Sequence, residues 1–202
     1  MNIQNRPLAR RERESPRLRL WTAQELERML EAGILTEDDG IELIAGEVVA
    51  MAAKGARHEI LRNELVLYWA DTRPNTIKFA EEPPLRLSDH NEPEPDIILF
   101  PAPLRVTEVR GDSVLLVVEI ADSSLSYDLG IKAPLYASFG VREYWVIDAR
   151  SLDATVHRAP GPSGYTDIRK LKPDDVLTPL AGDALAVRLA DLGLQPVGQD
   201  AG

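Results

Sequence analysis

The alternation of hydrophobic and polar positions along the chain predicts a succession of helices and short strands. Thr22 opens a Thr-x-x-Glu capping box, and apolar residues at helical spacing carry the following helix to Gly33. Two short apolar runs then flank Ala45-Gly46, which predicts a β-hairpin with a two-residue turn. The amino-terminal part of the domain is therefore expected to be a helix followed by a hairpin.

The pattern after the hairpin predicts a helix, three strands, a second helix and a further strand, in that order. The two helices are predicted at residues 56–70 and 127–138, and the strands at residues 76–81, 96–100, 114–121 and 142–148. Short antiparallel strands are predicted at residues 154–159, 165–170 and 184–187, separated by turns rich in proline and glycine. From residue 192 onward the pattern is that of a frayed tail.

Glu119 lies inside the most apolar run of the chain, which extends from Val114 to Ala121. Such a run is typical of a strand that is covered on both faces. An unpaired carboxylate in that position would cost several kcal/mol, on the order of the desolvation penalty of a charge. Glu119 therefore requires a buried cation, a bound metal, or a raised pKa that leaves the acid neutral.

Two further candidates are Asp96, at the start of a predicted strand, and Lys132, on one face of a predicted helix. Asp96 follows a proline and begins a predicted strand, where a turn residue is the ordinary alternative to a site residue. Lys132 follows Asp128 at i,i+4 spacing, which on an exposed helix face would contribute only about 0.2–0.5 kcal/mol. If the helix crosses the end of the Glu119 strand, Lys132 is the nearest cation. Pro134 is expected to kink this helix or to lie in its first turns.

The hairpin and the first helix of the core contribute three weaker candidates. Ile44 is predicted to lie opposite Glu47, so that Glu42 and Glu47 share one face, where they could reach a metal or could simply be solvated. His58 lies on the apolar stripe of the helix at residues 56–70, where a histidine is more often a half-buried packing residue than a ligand. Its position on the first turn, near the acidic hairpin, keeps a site role open.

Composition narrows the possible classes of protein. The 202 residues, 44% of them hydrophobic, suit one domain with a sizeable core. The domain is expected at residues 20–190, with a flexible basic tail at residues 1–19 and a second tail at residues 191–202. The chain has no cysteine, so a metal would have to bind Asp, Glu, His or carbonyl oxygen, which favours Mg²⁺ or Mn²⁺ over structural zinc. With no membrane-length apolar run and no secretory signal, a cytoplasmic location is expected.

Charge is distributed unevenly along the chain. The formal net charge is −10, but residues 1–20 carry six arginines against two glutamates, for a net +4, which leaves −14 for the rest. Proteins that hold nucleic acid by its phosphates normally have a basic surface, and the predicted domain lacks one. The basic tail could be an arm that binds phosphate, or it could be a solvated, disordered segment.

The order of elements and several local motifs resemble a known family. The relevant residues are Glu42-Leu43-Ile44-Ala45-Gly46-Glu47, His58, Pro95-Asp96-Ile97, Val118-Glu119-Ile120, Asp128, Lys132, Tyr136 and the run from Gly140 to Asp148, Gly-Val-Arg-Glu-Tyr-Trp-Val-Ile-Asp. Together they resemble the Uma-two family of restriction-endonuclease-like proteins, within the PD-(D/E)xK nuclease superfamily, over roughly residues 20–190. The Pro-Asp dipeptide alone is weakly specific, whereas the ordered set is strongly specific.

The resemblance implies both a fold and an activity. The implied fold is α+β (α/β): a restriction-endonuclease-like core with a mixed central β-sheet flanked by helices, an amino-terminal helix and hairpin, and a carboxy-terminal set of short strands. The implied activity is Mg²⁺- or Mn²⁺-dependent cleavage of DNA. Asp96 and Glu119 would hold the metal, and Lys132 would steady the scissile phosphate and the attacking water. Glu42 is a third metal-side candidate, with Glu47 and His58 behind it.

One departure from the superfamily pattern leaves an alternative open. The usual lysine lies two residues after the acid, where this chain has Ala121, and the resemblance implies that Lys132 of the following helix replaces it. The site would then depend on whether that helix crosses the strand end. The alternative is a catalytically inactive nuclease fold that serves as a binding or assembly module. A homodimer is expected by analogy with nuclease folds that pair to cut two strands.

Overall fold

A six-stranded mixed sheet is the centre of the fold in the computed structural model, which describes residues 18–197. The strands lie in the order β3-β4-β5-β6-β7-β8, and all neighbours are antiparallel except β5 and β6, which are parallel. The helices are α1 (Ala23–Glu31), α2 (Ala56–Thr72), α3 (Leu125–Tyr127) and α4 (Ala133–Ser138), with a π-helical turn at Asp128–Lys132 between the last two. The strands are β1 (Ile41–Ile44), β2 (Glu47–Ala50), β3 (Ile77–Glu81), β4 (Ile97–Pro101), β5 (Leu116–Ala121), β6 (Glu143–Asp148), β7 (Ala154–Gly161), β8 (Gly164–Leu171), β9 (Val176–Leu177) and β10 (Val187–Arg188).

The sheet is covered on both of its faces. On one face Leu61, Leu65 and Trp69 of α2 pack against Val118 and Ile120 of β5. On the other face, α4 packs against the alternate side chains of the same strand; the residues of that cluster include Val117, Ala121, Tyr136, Ala137 and Tyr144. Because side chains of a strand alternate between faces, Glu119 points to the same side as Val117 and Ala121, toward α4. The continuous apolar run around Glu119 therefore reflects burial on both faces, as predicted.

The predicted order of helix, three strands, helix and strand is confirmed, and so is the α+β fold class. The crossover between the parallel strands β5 and β6 is the segment α3–α4, which carries Lys132. Parallel neighbours need a crossover of this kind, because a tight turn cannot join them. Within the described residues, no helix has both the length and the apolar character needed to cross a membrane.

The helix of the crossover is not regular. It begins at Leu125 and changes to π-helical winding at Asp128, where the amide of Ala133 donates to the carbonyl of Asp128, five residues back. Pro134 follows directly, as the second residue of α4. Proline has no amide hydrogen and its ring clashes with the carbonyl four residues back in a regular helix. The π-helical turn adjusts the backbone where a regular helix would meet this clash, and so allows the helix to continue to Ser138.

Two expectations for the carboxy-terminal part were wrong. Residues 184–187 do not form one strand, because Asp183–Leu185 is a 3-10 turn and only Val187–Arg188 pairs with β9. Leu185, Val187 and Leu189 are all buried, and this period of two imitates a strand. The tail expected at residues 191–202 also starts too early, since Leu192 and Leu194 pack into the α2 side of the core. The expected basic tail, residues 1–19, lies outside the described residues except for Leu18 and Arg19.

The hairpin of β1 and β2 has the predicted register, with Ile44 opposite Glu47. Ala45 and Gly46 both adopt positive φ, of 52° and 79°, as the two-residue turn requires. A Cβ atom on Gly46 would lie 2.7 Å from the Cβ atom of Leu20, which is closer than two carbons can approach. The turn therefore depends on glycine both for its conformation and for the close approach of the chain at Leu20.

We expect Gly46→Ala to destabilise the protein by about 1–2 kcal/mol from the left-handed backbone alone, plus the cost of displacing Leu20. Gly33→Ala is the matched control, because Gly33 also has a positive φ, of 66°, but has open space where its Cβ would be. Urea denaturation of both variants measures the difference. Equal losses of stability would show that Leu20 imposes no constraint on the turn.

Candidate active site

A pocket of about 280 Å³ lies where the carboxyl end of β5 meets the amino end of β4, the hairpin, the start of α2 and the π-helical turn. Its charged lining consists of six acids and two lysines: Glu42, Glu94, Asp96, Glu119, Asp122, Asp128, Lys54 and Lys132. His58 also lines it. Six acids and two lysines give the lining a formal charge of −4 when the histidine is counted as neutral. The pocket therefore attracts cations.

Asp96 reaches the pocket because it directly precedes β4. Ile97 pairs with Val118 of the antiparallel neighbour β5, and this register places Asp96 opposite Glu119. Its Oδ2 atom accepts a hydrogen bond of 2.6 Å from the backbone amide of Ile120, and its Oδ1 atom lies 2.9 Å from Nε2 of His58. Both oxygens of the buried carboxylate are thus held in place by neighbouring groups.

Glu119 is buried and faces the crossover helix. Its Oε1 atom accepts hydrogen bonds from Nζ of Lys132 at 3.0 Å and from the hydroxyl of Tyr136 at 3.1 Å. No hydrogen bond from residues 18–197 reaches its other oxygen, Oε2. Burial raises the pKa of Glu119 well above its usual value; Lys132 opposes this effect, and Asp96 and other nearby carboxylates add to it.

Lys132 joins two elements that are far apart in sequence. Its Nζ atom lies 3.0 Å from Oε1 of Glu119 and 3.1 Å from Oε2 of Glu42, and all three side chains are at most 6% exposed. Burial alone would lower the pKa of Lys132, but the carboxylates of Glu119, Glu42 and Asp128 outweigh that effect and hold it above its usual value. Lys132 therefore remains a cation at neutral pH; one of its N–H donors is hydrogen-bonded to Glu119, and Glu42 lies within ion-pair distance.

The three weaker candidates from the hairpin and α2 differ in burial and in whether they line the pocket. Glu42 of β1 is buried and contacts Lys132, whereas Glu47 of β2 is exposed and does not line the pocket. His58 is buried on the first turn of α2, and its Nε2 contact with Asp96 shows that it is more than a packing residue. The alternative of an exposed Asp128–Lys132 pair is excluded, because both residues are buried.

The sequence pattern did not single out three residues of the pocket. Lys54 lies in the loop between β2 and α2, with Nζ 3.9 Å from Oδ1 of Asp96. Glu94 is half-buried, and burial raises its pKa, an effect that the nearby Lys54 partly opposes. Tyr127 lies at the end of α3 and points its ring toward Lys132. None of the three has a periodicity or a motif that marks it, since the first two are loop residues and Tyr127 lies just before an irregular helical turn.

The residues of the pocket fit a hard divalent cation. Within residues 18–197 no three or more His, Asp or Glu side chains are arranged to enclose a metal. Mg²⁺ does not require such a cage, because it keeps several waters and binds through one or two carboxylates. Asp96 and Glu119 supply two oxygen donors on adjacent strands, and Oε2 of Glu119 is available. The formal negative charge of the lining indicates that positive charge is in short supply there.

The six-stranded mixed sheet flanked by helices, with the pocket at the end of β5, has the restriction-endonuclease-like fold. Residues 23–189 match the model of the family Uma2, described as "Putative restriction endonuclease", and the chain belongs to that family. Among solved structures, it is similar to a protein from Anabaena variabilis described as "a putative nuclease belonging to DUF820". The similarity has a TM-score of 0.64 at 18% identity and covers 77% of this chain and 90% of that chain. Comparison with curated proteins gives no match.

Proposed function

We propose that the protein is a metal-dependent endonuclease that hydrolyses phosphodiester bonds of DNA. Asp96 and Glu119 hold Mg²⁺ or Mn²⁺, with Glu42 as a third acid on the metal side, and Lys132 acts at the scissile phosphate. The observation that carries the proposal is the placement of Lys132, which lies 3.0 Å from Glu119 although it comes from a different element. Membership of a family described as restriction endonucleases supports the reaction class.

Lys132 can take the place of the lysine that the superfamily pattern has at position 121, where this chain has alanine. Ala121 is buried in the core on the α4 side of the sheet and has no role in the pocket. The crossover helix passes the carboxyl end of β5, so its lysine reaches the acid that a lysine at position 121 would otherwise accompany. A cation in this place can stabilise the negative charge that builds up on the phosphate oxygens during hydrolysis.

Each residue of the site has a separate task in this proposal. Asp96 and Glu119 would hold a divalent cation, which would supply a water of lowered pKa and compensate charge on the phosphate. Ile120 and His58 orient Asp96 through its two oxygens. Tyr136 and Lys132 both contact Oε1 of Glu119, which leaves Oε2 for a ligand. Glu42 forms an ion pair with the ammonium of Lys132 at 3.1 Å, and the N–H donors that Glu119 does not take are available for the phosphate.

A second candidate function is an inactive nuclease fold that acts as a binding or assembly module. The observation in its favour is electrostatic, because the chain after residue 20 carries a net charge of −14 and offers little attraction to a polyanion. In that case the Glu42–Lys132–Glu119 cluster would be a purely structural ion network. A homodimer is compatible with either function, and sedimentation velocity tests it directly.

The first test is titration of Mn²⁺ and Mg²⁺ into the wild type and into Asp96→Asn, followed by cleavage of single- and double-stranded DNA. We expect the wild type to bind the metal and to cleave DNA, with cleavage abolished by a chelator. Asp96→Asn should lose metal binding and at least about a thousandfold of the cleavage rate, because a ligand of the cation is lost.

Asp122→Asn is the matched control, since Asp122 also lines the pocket but is exposed at the end of β5. It removes the same charge and should keep both metal binding and cleavage. Metal binding without cleavage of any DNA would favour the assembly module. If Asp96→Asn binds metal and cleaves DNA as well as Asp122→Asn does, Asp96 is not part of the proposed site.

A further inference from the structure

Tyr127 has a hydroxyl group whose position the proposed roles of its neighbours do not explain. The oxygen is shielded from solvent and lies near the Glu42 carboxylate, yet it makes no hydrogen bond of acceptable geometry with any residue from 18 to 197. A buried polar atom without a partner is uncommon in a folded protein and calls for a specific explanation. The side chain as a whole is half-buried and lines the pocket.

The surroundings of Tyr127 are those of the proposed reaction. The Nζ atom of Lys132 lies 5.9 Å from the centre of its ring, and Asp128 follows it in the chain. Burial, and then the nearby Glu42 carboxylate, raise the pKa of Tyr127 to about 12, so the hydroxyl keeps its proton at neutral pH. It is therefore a potential hydrogen-bond donor near the ammonium of Lys132.

The other buried tyrosines near the site differ in this respect. Tyr136 donates to Glu119, Tyr144 donates to the carbonyl of Asp128, and Tyr165 donates to the carbonyl of Val141. Each of these hydroxyl groups is used within the protein. The hydroxyl of Tyr127 is the one in this group that makes no well-formed hydrogen bond with the described residues, its near neighbour being the Glu42 carboxylate.

We propose that the Tyr127 hydroxyl donates a hydrogen bond to a non-bridging phosphate oxygen of the DNA, next to Lys132. This inference rests on the proposed nuclease function for its substrate. Tyr127 would then be a catalytic residue that contacts the substrate, and no proton or bond changes hands at its oxygen. The arrangement would supply two adjacent donors, one neutral and one charged, in a pocket whose acids would otherwise repel a phosphate.

Tyr127→Phe tests the inference by removing only the oxygen atom. A hydrogen bond to a charged phosphate supports a loss of about 10- to 100-fold in cleavage rate or in DNA affinity. Affinity is measured with a short fluorescein-labelled DNA duplex in Ca²⁺, and metal affinity by titration of Mn²⁺. Metal affinity should stay at the wild-type value. The melting temperature should stay close to that of the wild type, because the removed group makes no well-formed hydrogen bond in the folded protein.

Tyr68→Phe is the control, since its hydroxyl donates to the carbonyl of Ala186, away from the pocket. It should leave cleavage and DNA affinity unchanged. A lower melting temperature of Tyr127→Phe with unchanged cleavage would overturn the inference, because the hydroxyl would then be structural.

The two proposals fail in different ways. If the wild type cleaves DNA and Tyr127→Phe cleaves it equally well, only the role of Tyr127 is wrong. If the wild type binds the duplex without cleaving it and Tyr127→Phe binds more weakly, the contact stands and the nuclease function falls. If the wild type neither binds nor cleaves DNA, both are overturned.

Discussion

Lys132→Met is expected to abolish DNA cleavage, by at least about a thousandfold, and to destabilise the fold by about 3–5 kcal/mol at pH 8. Methionine keeps the length of the side chain but leaves Glu42 and Glu119 facing each other without the cation between them. Removal of one partner of a buried ion pair is costly, because the remaining charge is neither solvated nor compensated. Urea denaturation and a cleavage assay measure the two effects separately.

Two further variants separate the charge effect from a simple loss of packing. Lys54→Met removes a lysine that is partly exposed, and it should cost no more than about 1 kcal/mol. Adding Glu42→Gln to Lys132→Met should restore part of the lost stability, because it removes one of the two unpaired acids. Wild-type cleavage by Lys132→Met would contradict the role of Lys132 at the phosphate.

Glu119→Gln is expected to abolish metal binding and to leave the metal-free protein at least as stable as the wild type at pH 8. The pKa of Glu119 is raised by burial, so between about pH 4.5 and that raised pKa the folded state binds more protons than the unfolded state. Stability of the wild type should therefore fall as pH rises through this window, by at most about 1.4 kcal/mol per pH unit. Glutamine cannot ionise, so this contribution disappears, while Lys132 keeps Glu42 as a partner.

Thermal melts of the wild type and Glu119→Gln across pH, with and without Mn²⁺, measure this prediction. A metal at about 100 times its dissociation constant should stabilise the wild type by about 2.7 kcal/mol and the variant not at all. Glu47→Gln removes an exposed acid of the β1–β2 hairpin and should behave like the wild type. If Glu119→Gln instead destabilises the metal-free protein at pH 8, the pairing of Glu119 with Lys132 is structural and the assembly module gains support.

The prediction from sequence succeeded where a local rule applied. The capping box at Thr22 and the two-residue turn at Gly46 depend on neighbours within a few residues, and both are present. The desolvation cost of a carboxylate in an apolar strand required a buried cation, a bound metal or a raised pKa at Glu119. The structure supplies that cation as Lys132, only 13 residues away.

The sequence was less informative where contacts join distant elements. Glu42 and Lys132 are separated by 90 residues, and only the folded hairpin brings them to 3.1 Å. Glu42 and Glu47 are predicted to lie on one face of the hairpin and look equivalent in the sequence. In the structure Glu42 is buried beside Lys132, whereas Glu47 is exposed to solvent. The unpartnered hydroxyl of Tyr127 has no counterpart in the sequence pattern, because an absent hydrogen bond is visible only once all neighbours are placed.

The π-helical turn at Asp128–Lys132 has a consequence for how such a site can change over evolutionary time. In a regular helix each residue turns the chain by about 100°, so a deletion within this turn would rotate the side chains on either side by that angle relative to each other. Lys132 and α4 would then turn together by that angle relative to α3. The number of residues in this segment, more than the identity of each, therefore keeps the lysine within reach of the acid.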